Sequence, residues 1–149
     1  MTMKNNVYSN ARITLLSEYL FILLPFIVIG MVKLYKSSMG DFFAAADWSF
    51  ASAILFGQAI VKIVSAGVIN KSSASPKIVL IVTLLFIMGV SPCLILIAII
   101  LLNDANSIYI MAIQIILYIV ATSIFFWIGS AAHVMIDEVV NQKKENPPA

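Results

Sequence analysis

Two stretches of the chain, residues 78–102 and 108–132, each run for 25 residues without a charged side chain. A helix needs about 20 apolar residues to cross a hydrocarbon core about 30 Å thick. Within lipid, backbone N–H and C=O groups must find partners inside their own segment, which a helix provides. Strands of a membrane barrel alternate apolar and polar residues, whereas these stretches are continuous. The pattern therefore predicts two transmembrane helices.

Two further apolar stretches, residues 13–34 and 48–69, are also long enough to span, but they contain Glu18 and Lys62. The chain is 62% apolar and 11% charged, whereas soluble domains are about 45–50% apolar and about 25% charged. This composition excludes most soluble enzymes, disordered proteins and disulfide-rich secreted domains. We therefore predict an all-α integral membrane domain with four spans.

Short segments separate the four stretches, which favours helices that pack antiparallel in an up-down bundle. Orientation follows from the basic residues, because loops rich in Lys and Arg stay in the cytoplasm. One side has six basic residues and the other has two: Lys4, Arg12, Lys71, Lys77, Lys143 and Lys144 against Lys33 and Lys36. We therefore expect a multi-pass inner-membrane protein with both termini in the cytoplasm, where residues 133–149 form a helical extension and tail.

Glu18 and Lys62 are informative because a charge at the centre of a membrane helix costs about 2.5–3.5 kcal/mol on insertion scales. Counted from the cytoplasmic side at 1.5 Å per residue, Glu18 lies about 9 Å deep and Lys62 about 12 Å deep. Because the first two helices are antiparallel neighbours, residues at similar depth can lie side by side. We therefore predict an intramembrane ion pair between Glu18 and Lys62, within one chain or between subunits. The pair is either a proton or substrate relay or a structural contact, and the sequence leaves both open.

Small residues at helical spacing allow helices in lipid to approach each other closely. Ala53 and Gly57 form such a pair in the second span, and Gly129 begins a run of small residues near the end of the fourth. Pro25 and Pro92 are expected to bend the first and third helices.

The fourth helix is expected to continue beyond the membrane, because no helix breaker follows before Pro147. If it runs from Ser107 to Gln142, it is about 54 Å long at 1.5 Å per residue, and about 20 Å lie beyond a core of about 30 Å. The extension has a His–Asp pair at i, i+4 spacing and an apolar stripe, which together predict a contact surface. The alternative is that the extension is a frayed, solvated helix end. The predicted contact with another subunit or a cytosolic partner consists of His133, Ile136, Asp137, Val139 and Val140.

No set of catalytic residues is recognisable in the sequence. A hydrolase combines a nucleophile with a base and an orienting group, but the single histidine, His133, has no nucleophile at a recognisable spacing. Cys93 is the single cysteine, so the chain forms no internal disulfide and no cysteine-based metal cluster. The basic residues do not cluster as on a nucleic-acid-binding face. We therefore expect no enzymatic activity, metal, other cofactor or direct nucleic-acid binding.

Three functions remain: a membrane subunit that anchors or triggers a cytosolic partner, a small transporter or channel that uses Glu18, and a holin-like membrane-disrupting effector. The layout resembles that of small multidrug transporters, which have one Glu in their first helix. Those proteins are shorter and lack a proline like Pro25, and Lys62 would neutralise the site that a cationic drug needs. The transporter therefore stays the alternative.

In architecture the whole chain resembles the membrane subunit of the Kiwa anti-phage defence system. The resemblance covers the opening segment 1–12 and the four spans with both ends inside, and it includes no residue-level motif. It implies an oligomeric inner-membrane component that senses phage attack and acts with a cytosolic DNA-binding partner. The favoured interpretation is a non-enzymatic, homo-oligomeric membrane subunit in bacterial antiviral defence.

Overall fold

The structure is a computed structural model that describes residues 2–35, 46–69, 76–103 and 108–145. Across these ranges the chain is helical and has no strand, so the expected all-α class is confirmed. The elements in chain order are α1 (Thr2–Tyr35), α2 (Asp47–Ile69), α3 (Pro76–Leu85), a π-helical turn (Phe86–Val90), α4 (Ser91–Asn103) and α5 (Ile108–Glu145).

Four stretches of the described residues are long and apolar enough to cross a membrane, which indicates a multi-pass membrane protein. They lie close to the expected spans, at Arg12–Val32, Asp47–Ile69, Pro76–Leu102 and Ile108–Asp137. The first and last helices are longer than their spans: α1 begins ten residues before Arg12, and α5 ends eight residues after Asp137. The connecting segments lie outside the described residues, and they include Lys36 and Lys71, two of the basic residues that predict the orientation.

The third span changes helix type in its middle. α3 gives way to the π-helical turn, and α4 resumes at Ser91. Pro92 explains the wide turn, because proline has no N–H and its ring clashes with the carbonyl four residues earlier. The Ser91 backbone N–H and hydroxyl both donate to the Phe86 carbonyl, the hydroxyl at 3.0 Å. By contrast, α1 continues as a regular helix through Pro25.

The core lies where the four spans meet, and its most extensive helix contact joins α2 to α5. Lipid tails are as apolar as these side chains, so close packing holds the helices together more than exclusion from water does. The core residues are Leu15, Leu55, Phe56, Ala59, Leu85, Cys93, Ala121, Phe125 and Ile128.

Two of the described glycines lie where a neighbouring helix packs closely. A Cβ on Gly89, in the π turn, would lie 2.5 to 2.9 Å from three ring atoms of Phe56 on α2. A Cβ on Gly129, in α5, would collide with the end of the Leu15 side chain on α1. Gly57, expected to mark a close approach, has open space at its Cβ position. Gly57 therefore makes no helix contact within the described part of the chain, whereas Ala53 packs against the core.

Candidate functional site: a polar cluster between α1, α2 and α5

The expected ion pair is present within one chain. The Lys62 ammonium on α2 contacts Glu18 Oε2 on α1. The Lys62 side chain is 14% exposed and the Glu18 side chain is 41% exposed. The ammonium is therefore enclosed by the bundle, whereas the carboxylate reaches its outer surface. In lipid this pairing offsets the cost that either charge alone would carry.

An aromatic ring gives the ammonium a second favourable contact. Lys62 Nζ lies 5.6 Å from the centre of the Phe125 ring on α5. A cation over an aromatic face is attracted by the negative π surface, more strongly where water is excluded. Lys62 therefore links all three helices, through Glu18 on α1 and Phe125 on α5.

The residue after Glu18, Tyr19, also contacts α5: the hydroxyls of Tyr19 and Tyr118 form a 2.6 Å hydrogen bond. The Tyr19 ring also packs at 5.2 Å from the Phe126 ring, centre to centre. The amino-acid sequence does not predict this bond. Its partners lie 99 positions apart, and the only signal was that both are polar-tipped residues inside apolar spans.

A cleft of about 260 Å³ opens between α2 and α5 beside the ion pair. Its polar lining consists of Gln58, Lys62 and Ser65 from α2 and His133 from α5. His133 Nε2 is buried without a hydrogen-bond partner in the part of the chain that the structure describes. A buried polar nitrogen left without a partner is costly, so the cleft is suited to a polar guest.

The predicted contact residues of the fourth helix lie in two different environments. His133 and Ile136 line the cleft and therefore face α2 within the same chain. Asp137 and Val139 are half-buried, and Val140 is 43% exposed. Residues 146–149 of the predicted tail lie outside the described residues. The remaining free apolar surface of the predicted stripe is thus centred on Val140.

A second pocket, of about 390 Å³, lies between α1, α2 and α5 away from the ion pair. Apolar and aromatic side chains dominate its lining, including Phe26, Trp48 and Tyr118, and Asp47 is also part of it. The Trp48 ring meets the Tyr118 ring edge-on, with centres 5.2 Å apart. This pocket is suited to an apolar group such as a lipid tail and has few groups to orient a polar ligand.

The chemistry of the polar cluster is that of binding and charge compensation. Among the described residues, no three His, Cys, Asp or Glu side chains lie close enough to hold a metal ion. The three helices supply one compensated ion pair, one hydroxyl pair and, further along α5, one buried imidazole nitrogen. Comparison with known proteins yields no matching family model, no matching curated protein and no matching solved structure.

Proposed function

We propose that this chain is a non-enzymatic subunit of an inner-membrane homo-oligomer that anchors or triggers a cytosolic protein. The observation that carries the proposal is the length of α5, which runs as one helix for 38 residues. At 1.5 Å per residue it reaches about 57 Å, whereas the hydrocarbon core is about 30 Å thick. The excess forms a rigid projection on which a soluble partner can dock.

The start of α1 supports the same proposal. α1 begins at Thr2, so about 15 Å of helix precede its span at 1.5 Å per residue. Leu15 of α1 meets Gly129 of α5, so the two extensions leave the bundle at one end. This register supports an antiparallel arrangement of α1 and α5 with both termini on one side, and the lysine distribution favours the cytoplasm.

The outer surface of α1 supports self-association. Part of Glu18 is exposed in the single chain. Many apolar side chains of α1 are exposed as well, among them Ile13, Leu16, Leu20, Phe21 and Leu24. Lipid can cover the apolar residues, but a carboxylate facing lipid is costly. A second copy that covers Glu18 removes this cost. The role in anti-phage defence rests on the architectural resemblance to the Kiwa membrane subunit.

The test is purification of the tagged protein from its native host in a mild detergent, followed by native mass and mass spectrometry. We expect one defined homo-oligomer with a stoichiometric soluble protein. A stop codon at Glu138 keeps the complete span, Ile108–Asp137, and removes residues 138–149 of the projection, so it should abolish binding of the partner and leave the oligomer. A full-length variant with Val139→Ala and Val140→Ala keeps the length of the helix and removes two apolar side chains of the proposed docking face. It therefore tests the effect of the docking face separately from the effect of helix length. A protein that purifies alone and monomeric contradicts the proposal.

A small transporter is the second candidate, because a polar cleft adjoins the membrane-embedded Glu18–Lys62 pair. In that case Glu18→Gln should abolish ion or substrate flux in proteoliposomes, whereas the Glu138 truncation should leave it unchanged. The subunit proposal expects the reverse: no flux in either protein, and loss of the partner only upon truncation.

A further inference from the structure

We propose that the cleft between α2 and α5 binds the phosphate group of an anionic membrane phospholipid. The proposal stands apart from the subunit function and holds whether or not a cytosolic partner exists. It rests on the polar lining of the cleft, on the buried nitrogen of His133 and on the side from which the cleft is open.

The lining is suited to an oxyanion. Each of its four polar side chains can donate a hydrogen bond: Gln58, Lys62, Ser65 and His133. Lys62 contributes a positive charge, and the cleft lining includes no carboxylate. Glu18 contacts the same ammonium, but an ammonium has three N–H donors. Two of them remain for a phosphate oxygen.

The buried nitrogen of His133 points to a guest. His133 lines the cleft, and its Nε2 is buried without a hydrogen-bond partner among the described residues. In the tautomer with its proton on Nε2, a turn of the ring toward the cleft lets it donate to a phosphate oxygen, which removes the cost of burial. The cleft volume of about 260 Å³ far exceeds the roughly 15 Å³ that one water requires, so a phosphate group fits.

The position of the cleft favours lipid over a free ion. Gln58 and Ser65 are exposed on the surface of the bundle, so the cleft opens sideways. Lys62 lies seven residues before the end of α2 at Ile69, about 10 Å along the helix axis, and a lysine side chain extends toward the headgroups. Basic pockets between membrane helices on the cytoplasmic side are known to bind anionic headgroups.

The experiment is native mass spectrometry of the full-length protein, delipidated in mild detergent and titrated with phosphatidylglycerol or phosphatidylcholine. We expect one phosphatidylglycerol per chain, bound at least tenfold more tightly than phosphatidylcholine. His133→Leu should weaken phosphatidylglycerol binding about tenfold, because one hydrogen bond to a charged group is lost. Thr83→Val is the matched control, since the Thr83 hydroxyl bonds to Val79 O in its own helix, away from the cleft.

A double variant tests the charge separately. Glu18→Gln with Lys62→Gln removes the ammonium without leaving a carboxylate unpaired, so the preference for phosphatidylglycerol should disappear. Displacement of the bound lipid by inorganic phosphate, with the same dependence on His133, supports the proposal, because it shows that the phosphate group is the part of the lipid that is recognised. Equal binding of the two lipids, unaffected by His133→Leu, overturns the proposal. So does an oligomer that retains no lipid because a second copy fills the cleft.

Discussion

The first and third spans are attached to α2 and α5 in different ways. α1 makes polar contacts, from Glu18 to Lys62 and from Tyr19 to Tyr118, and adds the Leu15 contact at Gly129. The third span places Gly89 against an aromatic ring of α2 and relies on shape. Membrane helices associate through both kinds of contact, since exclusion from water does not act between them. A contact based on shape is sensitive to added volume, and a polar contact to the loss of a partner.

The largest expected effect is on the shape-based contact. Gly89→Ala places a methyl group 2.5 to 2.9 Å from the Phe56 ring, which is fully packed. Overpacking of this kind costs about 1–3 kcal/mol and sometimes more. Unfolding in SDS–detergent mixtures should show the loss. Gly57→Ala is the matched control in open space, and an equal effect of both variants would contradict the fit. Phe56→Leu should partly rescue Gly89→Ala.

The ion pair should give the next largest effect. Lys62→Ala leaves Glu18 without its partner. An unpaired charge costs about 2.5–3.5 kcal/mol at the centre of a membrane helix, and Glu18 lies near the start of its span, Arg12–Val32, so we expect about 1–2 kcal/mol in the same assay. The exchanged pair, Glu18→Lys with Lys62→Glu, should recover most of the loss. No recovery would indicate that Lys62 acts mainly through Phe125.

Gly129→Ala tests whether the α1 contact is more tolerant than the one at Gly89. The added methyl meets only the end of the Leu15 side chain, which can give way by turning partly out of its rotamer, at a cost of about 0.5–1.5 kcal/mol. The loss of stability should therefore be smaller than for Gly89→Ala. A larger loss would mean that α1 is held by shape as tightly as the third span.

The smallest expected effect concerns the hydroxyl pair. Tyr19→Phe removes the bond to Tyr118 and keeps both rings, and interhelical hydrogen bonds in membranes contribute about 0.6 kcal/mol on average. A double-mutant cycle with Tyr118→Phe measures the coupling. Tyr109→Phe, at an exposed position, should have no effect. A coupling of zero would leave Glu18–Lys62 as the polar link of α1.

Hydropathy and depth counting predicted much of this molecule. The spans follow from apolar length, and the Glu18–Lys62 pair follows from equal depth in neighbouring helices. Sequence did not predict the Tyr19–Tyr118 bond, the fit at Gly89 or the cleft at His133. These features depend on which side of each helix faces its neighbours. The sequence of a helix that is apolar on all sides does not reveal which side that is. Gly57 illustrates the limit, because its small neighbours suggest a contact that it does not make.

The π turn also has a consequence for the alignment of the third span. Its residues toward the core include a row at steps of four: Leu85, Gly89, Cys93 and Ile97 are all buried. In a regular helix each step of four exceeds a full turn by about 40°, so three steps would carry the stripe about 120° around the axis. A turn closed by i→i+5 bonds holds more residues per revolution and opposes this drift. Pro92 thus keeps both halves of the span in phase with α2.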